Sequence, residues 1–173
     1  MTPAHPPAGA ARGLSLRGQR DRIAAALLGF QTLLPPSPPE VPAEVARAVA
    51  DIHRHLFDPA LDVTAVRQRC GLRNNNVSTR FRAALGEGIR EYIERLRLEA
   101  ASELLAAGDL EIFLVALAVG YHHQETFCRA FHRHFGCAPS ELAGRPAATR
   151  GEIKKERQEA GEGEIRGGRH SIV

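Results

Sequence analysis

Aromatic residues are scarce, 5% of a 173-residue chain with no Trp at all, and methionine occurs once. Only three cysteines are present, Cys70, Cys128 and Cys137, at irregular spacing and without a C-x-x-C pair. That number and spacing exclude a disulfide framework and a structural zinc site, so reduced thiols are expected. No stretch approaches the roughly 18 apolar residues needed to argue for a membrane span. Met1 to Ala11 lacks the charged start, apolar block and cleavage site of a secretory signal, so a cytoplasmic location and no membrane partner are expected. There is no Gly-rich phosphate loop, no nucleophile elbow and no acid pair in a plausible cleft. Neither catalysis nor a cofactor is expected. Net charge is also small, 23 Lys and Arg against 20 Asp and Glu, which excludes a simple polycation and leaves the placement of charge to decide.

What is present divides the chain into three. Residues 1–40 hold most of the eleven prolines, with the run Pro35-Pro36-Ser37-Pro38-Pro39 reading as a stiff linker. Within this part Ile23, Leu27, Phe30 and Leu34 share one helical face, predicting an amphipathic helix over 20–34 that docks on the domain or pairs two chains. Residues 145–173 mix Arg150, Lys154, Lys155 and Arg157 with Glu152, Glu156 and Glu159 and carry almost no large apolar residue; disorder is expected there.

Residues 41–144 show helical periodicity punctuated by glycines and predict seven helices. They run over about Pro42–Leu56, Thr64–Cys70, Asn74–Leu85, Ile89–Ala107, Ile112–Val119 and Gln124–Phe135, with a short turn after Pro139. The pattern contains an echo. Cys70-Gly71-Leu72 leads to Phe81-x-x-x-x-Gly86, and Val119-Gly120-Tyr121 leads to Phe131-x-x-x-x-Gly136. Two helix-turn-helix units, about 63–85 and 112–135, follow from it, joined by a linker helix over about 89–107. The fold class is therefore all-α, a double helix-turn-helix domain. A linker of that length spans about 28 Å at about 1.5 Å per residue. That can hold two second helices near the roughly 34 Å repeat of one DNA turn.

Charge is sorted along this domain. Arg67, Arg69, Arg73, Arg80 and Arg82 lie in one stretch without an acid, and the second unit carries Arg129 and Arg133 with His122, His123, His132 and His134. The acids Glu91, Glu94, Glu99 and Glu103 concentrate on the linker helix and are expected on a solvent face away from DNA. Cys128 and His132 share a helix face, but His134 points about 200° away from His132, so no metal site is expected.

At these residues the chain resembles the DNA-binding domain of the AraC/XylS family of transcription regulators. The resemblance covers about Val45 to Gly144. It is carried by Leu117-Ala118-Val119-Gly120-Tyr121, Phe127-Cys128-Arg129-Ala130-Phe131, Phe135-Gly136 and Pro139-Ser140, and by Gly88-Ile89-Arg90-Glu91-Tyr92-Ile93 with Arg95-Leu96-Arg97-Leu98. It implies homeodomain-like reading helices and sequence-specific binding of double-stranded promoter DNA, with RNA polymerase as a candidate partner. Family members often add a small-molecule sensor domain; with only about 40 residues before the binding domain, none is expected here, and a monomer or weak dimer is.

Carried over position by position, the resemblance puts Asn75, Ser78 and Thr79 of the first reading helix against bases, with Arg73, Asn74 and Arg82 nearer phosphates. In the second it puts His123, Gln124, Thr126 and Arg129 on the reading face and Arg133 on a phosphate. The chemistry suits these roles: guanidinium pairs with guanine in two places and Asn with adenine. Departures are Arg67 where the family has a small residue, Arg73 at the usual Ser, Arg80 at an apolar position, and Phe113-Leu114 at polar ones. These keep a second reading open, a regulator remnant that acts through protein contacts, with Phe113-Leu114 either extra core or a partner patch.

Overall fold

Helix ends in this chain are set by capping chemistry that the sequence carries at the boundaries. The computed structural model describes residues 15–71, 76–108 and 110–143, with the backbone alone at Asn76. Among them lie eight helices and no strand: α1 (Leu16–Leu33), α2 (Ala43–His55), α3 (Val63–Arg69), α4 (Asn76–Leu85), α5 (Ile89–Ala106), α6 (Ile112–Ala118), α7 (Gln124–Phe135) and α8 (Pro139–Leu142). Asp62 opens α3 by accepting from the Ala65 amide at 2.7 Å. Glu91 opens α5 by accepting from the Gly88 amide at 2.6 Å. Each side chain satisfies an amide that the first helical turn leaves without a partner. At the other ends Gly71, Gly86, Gly108, Gly120 and Gly136, the glycines read as stops, all have positive φ.

The seven helices expected over 41–144 are α2 to α8, and the fold is the expected all-α double helix-turn-helix, α3 with α4 and α6 with α7, joined by α5. The N-terminal helix expected over 20–34 begins earlier, at Leu16. Ser15 caps it through the Gly18 amide at 3.2 Å; Leu16 is exposed and the buried residue of the first turn is the polar Gln19, so no apolar spacing marks its start. The predicted disordered tail 145–173 and the start of the chain up to residue 14 lie outside the described residues.

Two apolar cores form. The first gathers Val45, Val49, Ile52, Leu56, Val66 and Phe81 with Ile89, Ile93 and Leu96 of α5. The second gathers Val115, Val119, Phe127 and Phe131 with Leu98, Ala101 and Leu105 of α5 and Ile23 and Leu27 of α1. The linker helix thus contributes its N-terminal half to one unit and its C-terminal half to the other. Burying each of these Val, Leu, Ile or Phe side chains contributes about 1.5–3 kcal/mol.

At the seam stands Arg97, only 9% exposed. Its guanidinium donates to the carbonyls of Leu56 at 2.8 Å and Asp58 at 2.6 Å in the first unit, and of Gly120 at 3.3 Å in the second. Burial pulls its pKa down from the ordinary arginine value. Arginine nevertheless stays charged at any ordinary pH, and three oriented carbonyl dipoles take the place of its hydration. Phe30 and Phe57, with ring centroids 6.2 Å apart, pack against both cores beside it. The N-terminal helix α1 spans the same seam. Gln19 Oε1 accepts from the Glu111 amide at 2.9 Å, where α6 begins, and Gln31 Nε2 donates to the His53 carbonyl at 3.0 Å, where α2 ends.

Among the described glycines with positive φ, Gly120 alone has a neighbour in the way of a side chain. Its φ is +90°, and a Cβ built there would stand 2.8 Å from Arg97 Cζ. Arg97→Met should therefore lower stability by about 2–4 kcal/mol, because three buried carbonyls lose a charged donor. Gly120→Ala should cost about 1–3 kcal/mol from the backbone conformation alone, and more while the guanidinium is in place. Urea unfolding of both single variants and the double variant checks this. Combined losses smaller than the sum are expected, and strict additivity would show that the two groups do not meet.

Candidate nucleic-acid interface

A helix that reads DNA needs an apolar face to hold it and a polar face free to enter a groove. Both α4 and α7 meet this description. Val77 and Phe81 are buried while Ser78, Thr79 and Arg82 are exposed, so α4 turns one polar stripe outward. In α7 Phe127, Ala130 and Phe131 are buried while Thr126, Arg129 and Arg133 are exposed at helical spacing. Gln124 at its first turn is half-buried, and His123 is the exposed residue just before the helix. Of the residues assigned to DNA from sequence, Arg73, Asn74 and Asn75 lie outside the described residues.

The first reading helix rests on an aromatic platform. Tyr92 of α5 meets Phe81 edge-on, centroids 5.5 Å apart at 79°, and stacks on His53 of α2. Tyr92 Oη and His53 Nε2 share a hydrogen bond of 2.7 Å, and Arg95 lies over the Tyr92 ring at 5.1 Å. Arg95 is itself fixed by Glu87 at 2.7 Å and Glu99 at 3.1 Å. Burial, and then the charge of Arg95, push the His53 pKa below its usual value, while burial pushes the Tyr92 hydroxyl up. Neutral His53 is therefore the form that fits under α4.

Most of the arginines read as a basic stretch are engaged within the chain. Arg69 meets Asp51 at 2.9 Å, Arg80 meets Glu44, Arg82 meets Glu91 at 2.8 Å, and Arg133 meets Glu94. This corrects the expectation that the acids of the linker helix face away from DNA. Glu91 and Glu94 instead touch the last-turn arginines of the two reading helices. The Gly88 amide and the Arg82 guanidinium hold the Glu91 carboxyl below its ordinary range. Arg80, at a position the resemblance makes apolar, is exposed and ties α4 to α2 without entering the core. Arg129 differs from all of these. It is exposed and meets no acid among the described residues.

Sequence reasoning missed Arg97, Glu91 and Glu94. The Glu91 role had a signal, an acid three residues after a helix-opening Gly88; Arg97 had none, since it sits in a charged run, Glu94 to Glu99. The Phe113-Leu114 pair splits. Leu114 packs against the second core, whereas Phe113 is 50% exposed, one turn from Leu117 at 41%. None of the three cysteines is in a disulfide; each is partly buried against the cores, and burial pushes the Cys70 and Cys128 thiols up, away from the reactive thiolate.

Comparison with known proteins agrees with this geometry. A family profile described as a helix-turn-helix domain matches residues 66–145. The chain is 31% identical over 97 residues to the regulatory protein SoxS of Escherichia coli K12, covering 56% of this chain and 90% of that protein. It is likewise 31% identical over 104 residues to a putative AraC-like transcription regulator of Streptomyces lividans. That match covers 59% of this chain and 33% of the relative, so the chain spans about a third of that relative's length. Among solved structures it resembles the DNA-binding domain of AdpA, a global transcriptional factor, crystallised with a target DNA. There the TM-score is 0.54 with 25% identity, over 63% of this chain and 95% of that one.

The depressed His53 pKa gives a pH prediction. Because the folded form binds the proton less readily than the unfolded chain, the stability it supplies is full above about pH 6.5, the ordinary His value. It is lost as pH falls from there toward the lowered folded value. The urea midpoint should drop between pH 7 and 5.5, and His53→Gln should flatten that part of the profile. A variant profile parallel to that of the unaltered chain would show that His53 is not the group involved.

Proposed function

This chain belongs to the AraC/XylS family of transcription regulators, and from that premise we propose that it binds double-stranded DNA sequence-specifically, with α4 and α7 in two successive major grooves. The observation that carries the reading is the pair of matched helices: polar residues outward over a buried Phe on each, fixed to one linker helix. Ser78 and Thr79 in the first unit, and Thr126 and Arg129 in the second, are assigned to base edges, with His123 and Gln124 at the mouth of the second groove. Arg82 and Arg133 are assigned to phosphates, joined by Arg73 and Asn74, and Asn75 is assigned to a base. Arg129 is the leading base reader, since no carboxylate among the described residues competes for it and its guanidinium matches guanine O6 and N7.

One chain carries both reading helices, so a monomer suffices to fill both grooves. RNA polymerase is the further partner we infer for such a regulator. Among the described residues no helix is long and apolar enough to cross a membrane, which supports placing the chain with its DNA in the cytoplasm.

Selection of bound duplexes from a random pool tests the reading. Two preferred blocks about one helical turn apart are expected, and a single block would leave α4 without a base-reading role. Binding should weaken steeply with salt through counterion release; affinity indifferent to salt would sink the proposal. Arg129→Ala should cost about 1–3 kcal/mol and relax preference at one base pair. An equal loss on every sequence would reassign Arg129 to a phosphate.

A further inference from the structure

The two reading helices meet the linker helix through different kinds of carboxylate. Glu91 is doubly occupied, accepting from the Gly88 amide as a helix cap as well as from Arg82. Glu94 has no such anchor: its one ionic partner among the described residues is Arg133. It sits one turn from Arg90 and close to Arg97, on the side of α5 that lines a groove of about 400 Å3 between the two units, with Tyr121 across from it. Burial, and then the Glu94 charge, push the Tyr121 hydroxyl up to about 12, a sign of how near that carboxylate stands. The Glu94 side chain is 30% exposed and that of Arg133 70% exposed, so a polyanion arriving at α7 can reach the guanidinium.

We propose that Glu94 is an affinity-setting residue that competes with DNA phosphate for Arg133. In the free protein it holds the Arg133 guanidinium against the linker helix. When DNA enters, a phosphate takes the same donors, so the ion pair between Arg133 and Glu94 is broken in the complex. A partly exposed ion pair is weak enough for a phosphate to displace it, so Glu94 lowers affinity without abolishing it. Glu91 is less suited to test this, because its carboxylate also caps α5 through the Gly88 amide and replacing it would disturb the helix start. The inference rests on the assignment of α7 as a DNA-reading helix.

The test measures affinity of the full chain for a duplex selected from the random pool, by fluorescence anisotropy at fixed salt. Glu94→Gln should bind about two- to fivefold tighter, the range set by a partly exposed ion pair. Arg133→Ala should bind more weakly, and adding Glu94→Gln to it should change nothing further. Glu103→Gln, which removes an acid from the exposed side of the same helix, should bind like the unaltered chain. Thermal melting confirms that each variant is folded. Unchanged or weaker binding by Glu94→Gln overturns the proposal, because Glu94 would then steer Arg133 onto the phosphate. A gain that persists without Arg133, or that Glu103→Gln reproduces, overturns it too, because net charge alone would be acting. If the unaltered chain binds no duplex, the DNA reading itself falls, a result separate from any of these.

Discussion

The architecture depends on a single buried cation. Arg97 reaches from the middle of α5 to the end of the first unit through Leu56 and Asp58, and to the turn of the second through Gly120. Among the described residues it forms no salt bridge; its charge is met by carbonyl dipoles that both units supply. A buried charge left without its partners is far more costly than an apolar residue in the same place. Arg97 therefore favours one relative placement of the two units over every sheared or rotated alternative. Apolar packing at the seam, Phe30 against Phe57, would tolerate sliding; hydrogen bonds with fixed directions do not. Gly120 is the counterpart of this constraint, since only a residue without Cβ lets the backbone approach the guanidinium.

Much of the positive charge on the two reading helices is engaged in the free protein. The chain's net charge of +3 hides a local excess of arginine, and that excess is largely answered by acids on neighbouring helices. The arginines at the ends of the reading helices are held by carboxylates in the free protein, which suits the phosphate role proposed for them. Arg129 stands apart in the middle of α7, exposed, in keeping with the base contact proposed for it. A surface built this way has a modest sequence-independent pull toward nucleic acid and leaves discrimination to a few positions.

Much of the fold was legible in the sequence because its punctuation is local. The end of α7 follows from Gly136 after it, and the glycine stops at Gly71, Gly86 and Gly108 need no knowledge of what packs where. The reading faces were legible for the same reason, since Phe81 and Phe131 mark the buried side of helices whose opposite side carries Ser78, Thr79 and Arg129. What could not be read is everything set by contacts distant along the chain. Arg133 meets an acid 39 residues away, and Arg80 one 36 residues away, so their partners are invisible to spacing. Arg97 looks like any charged residue in a solvated run until the turn at Gly120 closes over it. The start of α1 escaped because the residue its first turn buries is Gln19, a polar side chain that leaves no apolar period to mark it.

The N-terminal helix adds a consequence beyond its own packing. With one glutamine joined to the start of α6 and another to the end of α2, it straps the back of the molecule across the seam that Arg97 closes inside. A reader braced on two sides has little freedom to adjust its span to the duplex, so the duplex must adjust to it. Stacking steps that bend or untwist easily between the two contacted blocks would then be preferred over stiff ones. Part of the sequence preference would arise at base pairs that no side chain touches, written in the elasticity of DNA.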